Sequence, residues 1–143
     1  MMRPVYETET TRAIERSMAA WLEPVWNCNV VKLPRSYSLD YAALRGSQLV
    51  AWLELKRRNR ALHEFPTVFL SVQKVMAARA LCEITNASCF FVVQFNDCYA
   101  YSNILADGRG FAFRGRIDRG DWEDQEPVAV IPVAQFRIIG EAQ

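Results

Sequence analysis

Two neighbouring stretches, Tyr37-Ser38-Leu39-Asp40-Tyr41 and Ala51-Trp52-Leu53-Glu54-Leu55-Lys56, decide how this chain is read. Arg45-Gly46-Ser47 between them supplies a turn, so residues 37–44 and 48–56 read as a hairpin. Side chains two apart on a strand share a face: Glu54 and Lys56 point the same way with Trp52, while Leu53 and Leu55 fill the opposite side. The hairpin partner brings Asp40 beside them. Two carboxylates and an ammonium at one spot are costly to assemble unless something sits between the carboxylates, and a divalent metal with a phosphate is the least costly candidate. A bare Glu-x-Lys is usually an exposed ion pair that contributes little. The leucines on the opposite face and the aspartate on the preceding strand argue otherwise here.

A magnesium ion takes about six oxygens, keeps several waters, and uses one or two protein carboxylates while leaving room for substrate phosphate. Asp40, Glu54 and the backbone carbonyl of Leu55 can supply that half shell. Lys56 can then orient or deprotonate an attacking water, or stabilise charge developing on the phosphate.

Working outward, residues 8–22 read as a helix with Ile14, Met18, Ala19 and Trp21-Leu22 as apolar positions, Thr8 or Thr10 as cap and Pro24 as its end. Glu15 lies at the edge of that apolar stripe and can look inward. Residues 27–33 read as a first strand, stopped by Pro34. After the hairpin, residues 57–66 are polar and basic and read as a loop. Residues 68–85 return to helical spacing through Val68, Val72, Val75-Met76 and Leu81, with Ser71, Lys74 and Ala78 on one side. The apolar run Phe90-Phe91-Val92-Val93 suits a fully buried central strand at 89–95, and 98–103 a further strand. Beyond Ala106 the glycines Gly108, Gly110, Gly115 and Gly120 describe loops, with short closing strands at 128–132 and 135–139. The order fits one α/β domain over 1–143, a central mixed sheet flanked by helices.

The composition, 51% apolar and 23% charged, is that of an ordinary soluble globular protein and excludes a fibre or a disordered chain. No apolar run reaches membrane-spanning length, so no membrane partner and a cytoplasmic location are expected. Cys28, Cys82, Cys89 and Cys98 show no Cys-x-x-Cys spacing and His63 has no cysteine near it, which makes a zinc site improbable. The net charge of +1 conceals an asymmetry. Lys32, Arg35, Arg45, Lys56, Arg57, Arg58 and Arg60 face only Asp40 and Glu54 in the same span, so a polyanion can be held at the candidate site. Arg57, Arg58 and Arg60 suit phosphate oxygens. Arg114, Arg116 and Arg119 form a second basic group beside the acidic stretch 118–126, and Phe111, Phe113 and Trp122 could stack on bases or pack in a core.

The set resembles the PD-(D/E)XK nuclease superfamily, closest to small stand-alone nucleases of phages and mobile elements. The likeness rests on Lys32-Leu33-Pro34, Tyr37-x-x-Asp40-Tyr41, Glu54-x-Lys56-x-Arg58 and Phe65-Pro66-Thr67 followed by Ser71-x-x-Lys74, and covers about residues 6–103. One departure is Leu39 in place of the proline before the aspartate. The resemblance implies a restriction-endonuclease-like fold and Mg2+- or Mn2+-dependent cleavage of DNA phosphodiesters, on branched DNA or junctions, by a homodimer. It implies catalytic roles for Asp40, Glu54, Lys56 and Glu15, the last holding a second metal or a metal-bound water, with Glu9 as its rival. It also implies that Ser71 and Lys74 contact the DNA strand, with Gln73 as the alternative. Two other classes compete: a non-cleaving nucleic-acid-binding protein of the same fold, and a phage-encoded interaction module using residues 118–126.

Overall fold

Met18, Ala19 and Leu22 recur at the three- and four-residue steps of a helix, and the computed structural model, which describes residues 9–115 and 125–141, buries them on α1 (Glu9–Trp26). Glu15 is buried with them, one step earlier on the same stripe. Pro24 does not end the helix as expected. It removes one N–H from the ladder, but Trp26 packs against Phe90 and Tyr101 and holds the last turn in place until Asn27, at φ 50°, leaves the helix.

The chain then forms an antiparallel meander of β1 (Asn29–Lys32), β2 (Tyr41–Arg45) and β3 (Gln48–Arg57). Gly46, at φ 61°, makes the hairpin turn. β4 (Thr67–Ser71) and α2 (Val72–Thr85) form the crossover to β5 (Ser88–Gln94), which pairs with β3 in parallel. Next come β6 (Cys98–Asn103), β7 (Gly110–Gly115), β8 (Gln125–Pro132) and β9 (Arg137–Glu141). The main sheet has the order β1-β2-β3-β5-β6-β9, and its one parallel pair makes it mixed, as expected.

Alternation along the central strands divides the core. Leu53, Leu55 and Val92 face α1, whereas Trp52, Phe91 and Val93 face α2 and a second, three-stranded sheet of order β4-β8-β7. That second sheet overturns two expectations. Val68, Val72 and Val75 stand at helical spacing, but Val68 and Leu70 alternate into the core opposite β8, so the segment is strand until Ser71 and helix only from Val72. Likewise 110–115 is a strand paired to β8, not a loop. Its alternation is masked in sequence because Phe111 and Phe113 are both exposed. Among the described residues, no helix is long and apolar enough to cross a membrane.

Candidate active site

Asp40 is the residue immediately before β2. Its backbone carbonyl accepts from the Leu33 N–H at 2.8 Å, while Leu39 is buried in the core on the α2 side. Leu39 thus anchors the position that the family's proline would occupy. Glu54 is fully buried in mid-β3, and Lys56, two residues on, lies 3.7 Å from its Oε2. From α2, Lys74 Nζ stands 3.3 Å from Glu54 Oε1 and 3.8 Å from Asp40 Oδ1 and donates to the Ser38 carbonyl. On the other side, Lys32 Nζ lies 3.9 Å from Asp40 and 3.7 Å from Glu15. Carboxylates and ammoniums therefore alternate from Glu15 through Lys32, Asp40, Lys74 and Glu54 to Lys56.

Burial pushes the Glu54 carboxyl up to about 7, with the Asp40 charge adding to the rise. Lys74 and Lys56 oppose this. Glu15 is raised as well, chiefly by burial and then by Asp40, against Lys32 and a hydrogen bond from Tyr41. Neither Glu54 oxygen, nor Glu15 Oε1, has a hydrogen-bond partner. Buried carboxylate oxygens left this way cost free energy that a cation would recover, so the residues present fit a divalent ion. Among the described residues, no three His, Cys, Asp or Glu side chains form a cluster able to hold one. A bound ion must therefore complete its shell with a backbone carbonyl, water and substrate oxygens, the usual habit of magnesium.

Glu54 opens onto a cavity of about 450 Å³ lined also by Lys56, Arg58, Ser71, Lys74, Arg114 and Glu126. Arg58 is the part of the basic loop that reaches it. Its side chain, Nη2 3.4 Å from the Phe69 carbonyl, is half-buried, and burial followed by Arg60 lowers its pKa while Glu54 opposes the fall. Arg57 instead donates to the Arg58 and Gln94 carbonyls and to Asn96 Oδ1. Arg60 donates to the Thr67 carbonyl at 2.7 Å and lies over Phe65 and Phe95. Both tie the loop to the fold. Ser71 caps α2, accepting from the Gln73 N–H at 3.2 Å, and Gln73 itself is exposed. Glu9 is exposed and paired with Arg12 and Arg16, so Glu15 is the helix carboxylate that reaches the site. His63 is exposed. Leu55 turns its side chain into the α1-side core and can serve only through its backbone.

Sequence reasoning counted Lys32 among the basic residues and in the family likeness but gave it no carboxylate partner, although its place opposite Tyr41 in the β1–β2 register was the available signal. Phe69 and Glu126 came to light only with the second sheet, where Arg114 lies 4.3 Å over the Phe69 ring. Arg116, Arg119, Trp122 and the acidic residues Asp118, Asp121, Glu123 and Asp124 lie outside the described residues.

A family model described as "Phage putative PDDEXK endonuclease" matches residues 1–139. The chain belongs to that family. A Holliday junction resolvase, Hjc of the archaeal hyperthermophile Archaeoglobus fulgidus, superposes with a TM-score of 0.56 at 12% identity, over 85% of this chain and 82% of that one. The likeness establishes the restriction-endonuclease-like fold, and the family membership makes the alternating carboxylates and lysines the place to look for its chemistry. A search of curated protein sequences returned no match.

Proposed function

We propose that this PDDEXK family member is a divalent-metal-dependent nuclease that hydrolyses phosphodiester bonds in DNA, with branched DNA or junctions as its substrate. The observation that carries the reading is Glu54: a fully buried carboxylate whose two oxygens lack hydrogen bonds, beside Asp40 and two lysines, at the floor of an open basic cavity. Asp40, Glu54 and the Leu55 carbonyl hold the ion, Mg2+ or Mn2+, and Glu15 supports a second ion or its water. The ion, when bound, neutralises phosphate charge and lowers the pKa of water.

The chain's own residues do the rest. Lys56 orients the attacking water, whose oxygen forms the new bond to phosphorus and gives up a proton to solvent as the bond to the sugar oxygen breaks and that oxygen leaves as a hydroxyl protonated from solvent. The Lys56 ammonium stabilises the charge gained by the phosphate. Arg58, on the same strand parity, grips phosphate oxygens from the cavity wall. Lys74 and Ser71 approach the DNA strand from the α2 side, and Arg57 and Arg60 keep the basic loop in shape beside it. The resolvase likeness in fold supports the branched substrate; a homodimer and a cytoplasmic location belong to the same proposal.

The test is incubation with linear, circular, single-stranded and four-way-junction DNA, with magnesium or with chelator. The parent protein should cut, the junction fastest, only with metal. Asp40→Ala and Lys56→Ala should lose cleavage by a factor of 100 or more, on the order expected for losing a positioned catalytic group, with unchanged circular dichroism. If Asp40→Ala protein cuts as fast as the parent in magnesium, the reading fails.

A further inference from the structure

The Lys74 ammonium stands among three oxygens contributed by three separate parts of the chain: Glu54 Oε1 in β3, Asp40 Oδ1 ahead of β2, and the carbonyl of Ser38. Ser38 is in the left-handed region at φ 64°, a conformation that a serine adopts at some cost. Two carboxylates and a backbone carbonyl around a single point are oxygen donors of the kind a hard cation takes. Here the protein's own cation fills the place. The ammonium is also only partly enclosed. Its side chain is 24% exposed and lines the cavity in which the substrate phosphate is proposed to lie.

Resting on the metal-dependent reading above, we propose that Lys74 is a built-in occupant of the cation position between Asp40 and Glu54, displaced into the cavity when a divalent ion binds and held there by a substrate phosphate. An ammonium and a dication cannot share one pair of carboxylates at about 4 Å in surroundings that screen poorly. Lysine suits the exchange because its charge sits on a flexible stem that swings by rotamer change without moving the backbone. The exchange makes Lys74 a positioning residue with two stations. Without metal, it prevents the two carboxylates from repelling one another. With metal and DNA, it faces phosphate. Because the phosphate stabilises the displaced lysine, DNA and metal strengthen each other's binding, and by linkage the effect is reciprocal. In the free protein the site stays weak for metal.

The experiment measures Mg2+ binding without DNA by titration calorimetry at pH 8.5 on the full chain and on Lys74→Ala, Lys74→Gln and Asp40→Asn. Removing the occupant should tighten Mg2+ binding on the order of tenfold or more, given the repulsion removed, and both Lys74 variants should gain more in thermal midpoint from added Mg2+ than the parent does. A residue that merely grips phosphate would leave Mg2+ binding unchanged in the absence of DNA. Equal or weaker binding by both Lys74 variants overturns the proposal. If Lys74→Ala fails to fold without metal, Lys74→Gln, which keeps a polar side chain of similar reach, decides. When Asp40→Asn abolishes Mg2+ binding yet the Lys74 variants bind no more tightly than the parent, the metal site stands and the occupant role alone falls. When no form binds Mg2+, both fall. The coupling is read in a Lys56→Ala background, where cleavage is silent. A DNA duplex should raise Mg2+ affinity by a larger factor with Lys74 intact than with Lys74→Ala added, and equal factors overturn it.

Discussion

Replacing Glu54 by glutamine should destroy cleavage and make the metal-free protein more stable, and the pH at which the gain appears follows from the carboxyl's surroundings. Its pKa rises from an ordinary 4.5 to about 7, first through burial and then through Asp40. Ionising it in the folded protein is therefore roughly 3 kcal/mol harder than in the unfolded chain. Below pH 4.5 the group is protonated in both states and costs nothing. As the pH climbs from 4.5 to 7 the unfolded chain sheds this proton while the folded protein keeps it, so stability falls across that window and is level above it. The attraction of Lys74 and Lys56 is already contained in the rise to about 7, since both oppose it.

Glutamine has the shape and neutrality of the protonated acid, so it escapes the cost at high pH. Urea unfolding in chelator should find Glu54→Gln within a few tenths of a kcal/mol of the parent at pH 4.5, and more stable by up to roughly 3 kcal/mol at pH 8. Glu15 is raised in both proteins and cancels from the comparison. With magnesium at pH 8 the parent should recover part of the difference, limited by the weak metal site that Lys74 leaves, and the variant none, because a ligand stabilises only the fold that binds it. The same loss of stability at both pH values would refute the account of Glu54 as a strained, cation-seeking carboxylate.

The basic loop gives a further expectation. Arg58→Ala should lower the slope of log affinity against log salt for DNA by about one phosphate's worth, measured by anisotropy in chelator, whereas Arg57→Ala should leave the slope and cost stability through its three lost hydrogen bonds. At the far face, a Cβ at Gly140 would meet the Trp21 ring at 3.1 Å, where that ring stacks on Tyr99 at 3.8 Å. Gly140→Ala should cost about 1–3 kcal/mol in thermal or urea unfolding without changing Mg2+ affinity.

The centre of the site was readable because it rests on the shortest-range rule available. Glu54, Lys56 and Arg58 share a strand face by parity, Leu53 and Leu55 declare which face is apolar, and Gly46 fixes the hairpin that carries Asp40. What was not readable depends on pairings remote in sequence. Phe69 to Val130 and Phe111 to Ala129 are partners in a sheet whose strands come from three separate segments, and Val68, Val72 and Val75 satisfy helical spacing by coincidence across a strand–helix boundary. Lys32 escaped for a related reason. Its two carboxylates arrive from α1 and from ahead of β2, and nothing in its own neighbours announces them.

Direction also sorts the arginines that composition lumps together. Counted by charge, residues 57–60 are one basic patch; counted by direction, Arg57 and Arg58 look opposite ways at the end of β3, and Arg60, though of the same parity as Arg58, lies beyond the strand and is turned aside by the loop. Arg58 continues the row of Glu54 and Lys56, whereas Arg57 turns to the Gln94 carbonyl at the neighbouring strand's end and Arg60 to the Thr67 carbonyl at the start of β4. The two outward arginines therefore join the basic loop to both sheets, and the inward one stands in the cavity wall those sheets create. A basic run after a catalytic strand reads as one DNA-binding element in sequence, yet its geometry gives it two jobs. In the proposed function the phosphate-facing job falls to Arg58, whose pKa burial has pushed down and an anion arriving beside it would raise again.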